Sequence, residues 1–297
     1  SKFVAQDVPL FLSLLADLFP QLTSPADSTY PEMERQIIIA INNRGLQEHR
    51  NWIKKVIQLY ETTLVRHGIM LCGPSGGGKT QIFAVLRDAL GAIHDIQYRE
   101  QRINPKAIRA AEMYGEVDPL SQEWTTGVFA AIWEKSNRRE NPYNTWIVAD
   151  GPVDAIWIED LNTVLDDNRI LTLANGDRLP MTDNCKIMFE NQQLDNASPA
   201  TVSRAGIIYV SDTDLGWTPI VDSWIATRPD EQKTTLKSLF TRYVGEESPT
   251  EPGLMFDFIG RKCVEGMKTP KSGRASSCLI LLQSLLDDRD VELSASF

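Results

Sequence analysis

Eight consecutive residues carry the plainest chemistry in this chain: Gly73, Pro74, Ser75, Gly76, Gly77, Gly78, Lys79 and Thr80. A glycine, four residues and then Gly-Lys-Thr is the spacing of a phosphate-binding loop. Glycines let the backbone bend so that successive N–H groups converge on phosphate oxygens. Lys79 would reach the β- and γ-phosphates as a point charge, and the Thr80 hydroxyl would sit on Mg²⁺. A buried strand over Ile69–Cys72 is expected before the loop. After it, Ile82, Phe83, Val85, Leu86 and Ala89 fall at helical spacing, and Gly91 marks a plausible end. A helix starting at Thr80 would add its dipole beneath the phosphates. Strand, loop and helix together predict a nucleoside triphosphate site.

A phosphate loop needs a carboxylate opposite its threonine to hold the metal. Trp146-Ile147-Val148-Ala149-Asp150 reads as an apolar strand ending in that acid. The next position, where a base would activate water, is Gly151, which has no carboxylate. A second acid-ended run, Ala155 to Glu159-Asp160, competes for the same role. Asp150 is preferred, because Pro152 suits the first turn of a helix running through Leu165 and carrying Glu159 and Asp160 on its wet face. Further along, Cys185–Phe189 predicts another strand with Glu190 and Asn191 at its end. Asn191 is the candidate to touch a γ-phosphate or its water, with capping of the next turn as the alternative. Arg204 closes a short helix that begins at the Ser198 N-cap and Pro199, with Gly206 fitting its C-terminal turn and Ile207–Val210 forming the next strand.

The remaining elements must position these groups. Leu10, Leu14, Leu15 and Leu18 mark one face of a helix over Val8–Phe19 that Pro20 ends, followed by a polar turn at Thr23–Ser28. A helix follows over Glu32–Asn42. Ile53, Val56, Ile57, Tyr60 and Leu64 then give an amphipathic stripe leading into the loop's strand. Ile93–Tyr98 is a candidate second strand. Residues 102–127 are too broken for a simple crossover and read as an insertion, with a helix resuming near Val128; Arg99, Arg102, Lys106 and Arg109 give it a basic edge. Residues 168–183 hold a second insertion, two strand-like arms around Asn175-Gly176 that suggest a type I′ hairpin. From Trp217 the chain turns helical: Trp217–Ala226, Glu231–Val244, Leu254–Val264 and Ala275–Asp288, separated by polar loops at Gly245–Gly253 and Met267–Gly273.

Composition limits the function classes. The 297 residues carry 30 Lys and Arg against 40 Asp and Glu, for a net charge of −10, which argues against bulk nucleic-acid binding. Cys72, Cys185, Cys263 and Cys278 are scattered and read as reduced thiols, and no run is long enough to span a bilayer. The chain opens on Ser-Lys without Met, which points to a piece of something longer.

The order of these motifs resembles the second AAA+ module of dynein heavy chains. The resemblance is carried by the phosphate loop, Trp146–Glu159, Asn162–Asn168, Leu173–Leu179 and Ala197–Arg204. Asn104-Pro105-Lys106-Ala107 with Tyr114-Gly115 and Trp124 matches that module's helix-2 insertion. The loop's Gly-Gly-Gly-Lys-Thr and Gly151-Pro152-Val153-Asp154 are more similar to axonemal dyneins, the outer-arm chains above all. Ala205-Gly206 departs from the Cys-Gly of many dyneins.

The resemblance implies an α/β AAA+ fold: a helical lead-in over 1–52, a large subdomain over 53–212 and a small helical lid over 213–297. It implies a module that binds ATP or ADP with Mg²⁺ through residues 73–80 and Asp150, and holds ATP without hydrolysing it, in agreement with Gly151. It further implies that Arg204 acts as an arginine finger on the preceding module, and that the two insertions touch the linker of the same chain. Intermediate and light chains, microtubules and a place in the cytoskeleton of a ciliary or flagellar axoneme follow from the family, with neither membrane nor nucleic acid as partner. Turnover at this site with Glu159 or another acid as base, and an interaction module with a relic loop, stay open as alternatives.

Overall fold

A strand covered on both faces of a parallel sheet must be apolar throughout, and Gly68–Cys72 (β1) is buried at all five positions. The structure, a computed structural model, describes residues 7–19, 30–244, 254–264 and 269–287. The turn expected at Thr23–Ser28 and the loop at Gly245–Gly253 lie outside these residues, as does part of Met267–Gly273. Three helices precede β1: α1 (Val8–Leu18), α2 (Pro31–Asn43) and α3 (Arg50–Val65). On α1, Leu10, Leu14 and Leu18 stand 72%, 55% and 63% exposed while Leu15 is half-buried, so that helix's apolar face is covered only in part among the described residues.

The chain divides into two units. The first takes Ser1–Ile37, Lys54–Gly73 and Lys79–Val210; the second takes Ile38–Ile53, Pro74–Gly78 and Ser211–Phe297. In the first, β1 leads to α4 (Lys79–His94) and β2 (Tyr98–Ile103). The α4 helix runs through Gly91, which does not end it, and the strand placed at Ile93–Tyr98 begins instead at Tyr98. Glycine weakens a helix interior by only about 1 kcal/mol, and the buried face of Ile82, Phe83, Val85, Leu86, Ala89 and Leu90 outweighs that.

The strand keeps Arg102 and Ile103, so the first insertion starts at Asn104, whose side chain caps a short turn at Pro105–Ala107. The insertion then forms α5 (Ala110–Tyr114) and an antiparallel pair, β3 (Gly115–Val117) with β4 (Trp124–Thr126). Its root is fixed by Tyr114, whose hydroxyl donates to the Trp157 carbonyl at 2.5 Å.

Then come α6 (Val128–Ser136), β5 (Asn144–Asp150), α7 (Ala155–Ile158) and α8 (Asn162–Leu165). Asp154, not Pro152, starts α7, accepting a hydrogen bond from the Ile156 N–H. The second insertion is the expected hairpin, β6 (Ile170–Thr172) with β7 (Arg178–Pro180). Its turn is not type I′, which needs positive φ at both central residues: Gly176 has φ +89° and Asn175 does not share it. The Leu173 N–H donates to the Asp177 carbonyl and the Gly176 N–H to the Leu173 carbonyl, closing a longer loop with a glycine bulge. Trp133 on α6 donates to the Leu179 carbonyl, pinning the hairpin to the core.

The unit closes with β8 (Cys185–Asn191), α9 (Pro199–Arg204) and β9 (Gly206–Tyr209). Gly206 opens β9 and does not cap α9; a Cβ there would lie 2.3 Å from Thr62 on α3, so close packing selects glycine. The five parallel strands lie in the order β2-β5-β8-β1-β9. Ligands of open parallel sheets bind outside the carboxyl ends of the strands, and that edge here carries Gly73, Asp150, Glu190 and Asn191.

The second unit holds α10 (Asp212–Leu215), α11 (Thr218–Ala226), α12 (Asp230–Tyr243), α13 (Leu254–Lys262) and α14 (Lys271–Asp287). The last helix starts four residues before the expected Ala275. Its core is built from Trp217, Val221, Ile225, Leu236, Val244, Phe256, Ala275 and Leu279. No helix of the described residues is long and apolar enough to cross a membrane.

Candidate functional site

The loop's glycines are there for conformation and space. Gly73 has φ +149°, and a Cβ on it would stand 2.0 Å from the Val210 carbonyl oxygen, so no other residue fits. Gly78 has φ +79°, and a Cβ would lie 2.7 Å from the Trp52 indole nitrogen. The first residue of α4, Lys79, is 8% exposed. Its ammonium donates to the Gly73 carbonyl at 2.8 Å, folding the side chain back along the loop. Burial lowers its pKa, opposed by the negative charge of Glu190.

Thr80 and Asp150 fall into one hydrogen-bonded network, joined by two residues whose roles the sequence left unassigned. The Thr80 hydroxyl donates to Glu190 Oε1 at 2.6 Å. Asp150 and Glu190 face each other in the β5–β8 register. Arg102 bridges them, one guanidinium nitrogen donating to Asp150 Oδ2 at 2.8 Å and to Glu190 Oε2 at 2.9 Å. Its Nε donates to Glu100 Oε1 at 2.9 Å, and the other oxygen of Glu100 accepts from Arg87 at 3.0 Å. Arg102 is therefore not part of a basic edge. Nor are its neighbours free: Arg99 lies over the Tyr143 ring, Lys106 pairs with Asp154, and Arg109 with Glu112.

Gly151 is confined by this arrangement. A Cβ there would stand 2.9 Å from the Asn104 side-chain oxygen, so the place where an acid after Asp150 would project is taken up by the start of the first insertion. Asn191 is 3% exposed, and neither end of its amide has an oxygen or nitrogen partner among the described residues. It faces Cys72 across the β8–β1 register, a thiol that burial pushes up to about 12. The Asn191 side chain hydrogen-bonds that thiol, which offsets part of the cost of burying the amide. Glu159 and Asp160 lie on an exposed helical turn after α7, not on a strand. Arg204, at the end of α9, donates to Asp166 at 3.3 Å and to the Ala200 carbonyl at 3.3 Å. The neighbouring Asp167 N–H, and then Arg204, hold the Asp166 pKa below its usual value.

Pro74–Gly78 belong to the second unit, which has a cavity of about 710 Å³ lined by His49, Asp212, Trp217, Asp222, Lys271 and Ser272 among others. A Cβ at Gly76 would lie 2.7 Å from Ser272 Oγ, so the loop borders this cavity. His49 Nδ1 and Ser272 Oγ are buried without partners among the described residues. In the first unit the donor set fits a magnesium-bound nucleoside triphosphate: hard oxygens from the Thr80 hydroxyl and the Asp150 carboxylate, a buried Lys79 ammonium, and a glycine at 73 that no Cβ can replace.

A sheet of this order, with a glycine loop after β1 and an acid ending β5, defines an α/β AAA-type nucleotide-binding fold. Residues 68–205 match the model of the AAA domain, dynein-related subfamily, and residues 1–80 that of the hydrolytic ATP binding site of dynein motor region. The chain is similar to the dynein gamma chain of the flagellar outer arm from Chlamydomonas reinhardtii, 56% identical over 82% of this chain and 5% of the relative. It is 48% identical to dynein axonemal heavy chain 8 of Mus musculus, again over 82% of this chain and 5% of the relative. It is 40% identical to mouse dynein axonemal heavy chain 3 over 98% of this chain and 7% of the relative. The chain is thus an AAA domain whose homologues, over most of its length, are axonemal dynein heavy chains, and it spans about a twentieth of the length of the relatives it matches.

Proposed function

We propose that this chain is the second AAA+ module of an outer-arm axonemal dynein heavy chain, and that it holds ATP structurally without turning it over. Residues 73–79 take the phosphates. Magnesium, when bound, neutralises phosphate charge; the Thr80 hydroxyl and the Asp150 carboxylate would hold it. The observation that carries the reading is Gly151: the position after the metal acid has no carboxylate, and Asn104 stands where one would project. Asn191, buried at the same strand edge, senses the nucleotide in this reading.

In this reading Arg204 serves the preceding module's ATP, and the two hairpins meet the linker. Through the whole heavy chain the module takes part in microtubule-based movement in the axoneme, alongside intermediate and light chains. One observation favours hydrolysis instead: Glu190 is a carboxylate 2.6 Å from Thr80. The family described as a hydrolytic site matches only as far as residue 80, short of Asp150 and Glu190.

A single-turnover incubation with labelled ATP and Mg²⁺ decides between the two. Stoichiometric ATP retained without product is expected; steady release of ADP would refute the inert-site reading. For the finger, Arg204→Ala in the full heavy chain should slow the neighbouring module's turnover and leave nucleotide retention here unchanged.

A further inference from the structure

Glu190 is the acid nearest in register to Asp150, yet both its oxygens are engaged. Oε1 accepts from Thr80 and Oε2 from Arg102. Its side chain is 10% exposed, so these partners are not readily replaced by water. Arg102 is itself held at 28% exposure by Glu100, which Arg87 supports in turn. This chain of side chains draws on α4, β2, β5 and β8, so its geometry is set by the sheet and not by a loose surface pair. A carboxylate whose oxygens already accept charge-assisted hydrogen bonds is a poor acceptor for a proton from water.

We propose that Arg102 is a positioning residue that keeps Glu190 out of service, and that Glu190 is this site's latent general base. The proposal rests on the reading of the site as one that binds ATP without turnover, and adds the reason it stays idle. With Arg102 removed, Glu190 Oε2 is free to accept a proton from water. The water oxygen forms a bond to the γ-phosphorus, and the bond from the β–γ bridging oxygen to that phosphorus breaks. Its electron pair stays on ADP, and the water proton passes to Glu190. Arg102 thus does the inhibiting that Gly151, by omission, begins.

The test uses the 297-residue chain as wild type, Arg102→Gln, Arg102→Lys, Glu190→Gln and the Arg102→Gln/Glu190→Gln double variant. Identity of the bound nucleotide is read after a single-turnover incubation. Wild type should keep ATP, while Arg102→Gln should convert it to ADP faster by a factor of roughly 10². Arg102→Lys, which restores the positive charge, should return toward wild type, and the double variant should be as slow as wild type.

Thermal melting without nucleotide gives a readout independent of turnover. Arg102→Gln should lower the melting temperature by leaving two carboxylates unpaired. Glu190→Gln in that background should recover part of the loss because it removes one unpaired carboxylate, whereas a merely structural role for Arg102 would leave the rate of ATP conversion unchanged. The proposal is overturned if Arg102→Gln is no faster than wild type, if the double variant is as fast as Arg102→Gln, or if melting shows no recovery. Rapid conversion by wild type, or no ATP bound by wild type, overturns the underlying reading and the proposal with it. Either is seen before any variant is made, so the two failures are told apart.

Discussion

The two units solve the burial problem differently. The α/β unit wraps a parallel sheet on both faces and leaves Trp133, Phe83, Phe129 and Phe189 fully buried. Its aromatics interlock, with Phe129 5.7 Å from Trp133 and Tyr114 5.6 Å from Phe129. The helical unit has a thinner core in which Trp217 and Phe256 meet at 5.6 Å. The same helices leave Leu254 67%, Phe258 61%, Ile280 67% and Leu285 54% exposed. The sheet unit holds its side chains in strand register; the helical unit buries fewer of them. The chemistry follows that division. Thr80, Asp150, Glu190 and Arg102, whose distances matter, are all on the sheet unit, while the roomy cavity is in the helices.

Breaking the larger core should give the largest effect. Trp133→Ala removes a fully buried aromatic and the bond to the Leu179 carbonyl, and should cost about 3–5 kcal/mol in denaturant unfolding. A smaller loss than in the helical unit would invert the comparison. Next, ATP at about a hundred times its Kd should stabilise the wild-type chain by about 2.7 kcal/mol. Lys79→Ala should abolish that increment, measured as the ATP-dependent shift in melting. Leu236→Ala, in the thin core, should cost about 2 kcal/mol, the low end for such truncations. Hydrogen exchange should then rise in α11–α14 before it rises in the sheet, and uniform loosening would mean the units do not act separately.

The smallest effect concerns pH at the opposite end of the sheet. His67 precedes β1 and accepts a hydrogen bond from Arg169 Nε at 3.0 Å. Burial first, and the positive charge of Arg169 second, lower its pKa. The unfolded chain therefore binds the proton more readily. Stability from this group is complete above the unfolded value of about 6.5 and is lost as pH falls through the folded one. His67→Gln, which keeps an acceptor, should flatten that part of the stability profile; an unchanged acid limb would rule His67 out as its source.

Much of the local structure around the candidate site was legible in the chain because its signals are local. Gly73–Thr80 demands its own turn, Asp150 ends a run of apolar residues, and Ser198-Pro199 caps its own helix with partners three residues away. Element ends were less legible. Gly91 and Pro152 carry local preferences that packing and the Asp154 cap overrode, and Asn175-Gly176 suits a turn that this hairpin did not adopt. Glu190 stood next to the favoured Asn191. Nothing in residues near Glu190 marked it as the partner of Thr80.

By itself, then, the amino-acid sequence determined the glycine loop after β1, the apolar strand that ends at Asp150, the glycine that follows it and the parallel α/β architecture. Each depends on residue type and short-range spacing. Only the tertiary structure decided that Arg102 turns inward to join Asp150 and Glu190, that Glu190 meets Thr80, and that Asn104 faces Gly151. Arg102 lies 48 and 88 residues from its carboxylates, and Thr80 lies 110 from Glu190. Contacts at such separations are set by which strands lie side by side, and that order is fixed by the collective burial of the sheet rather than by any one segment of the chain.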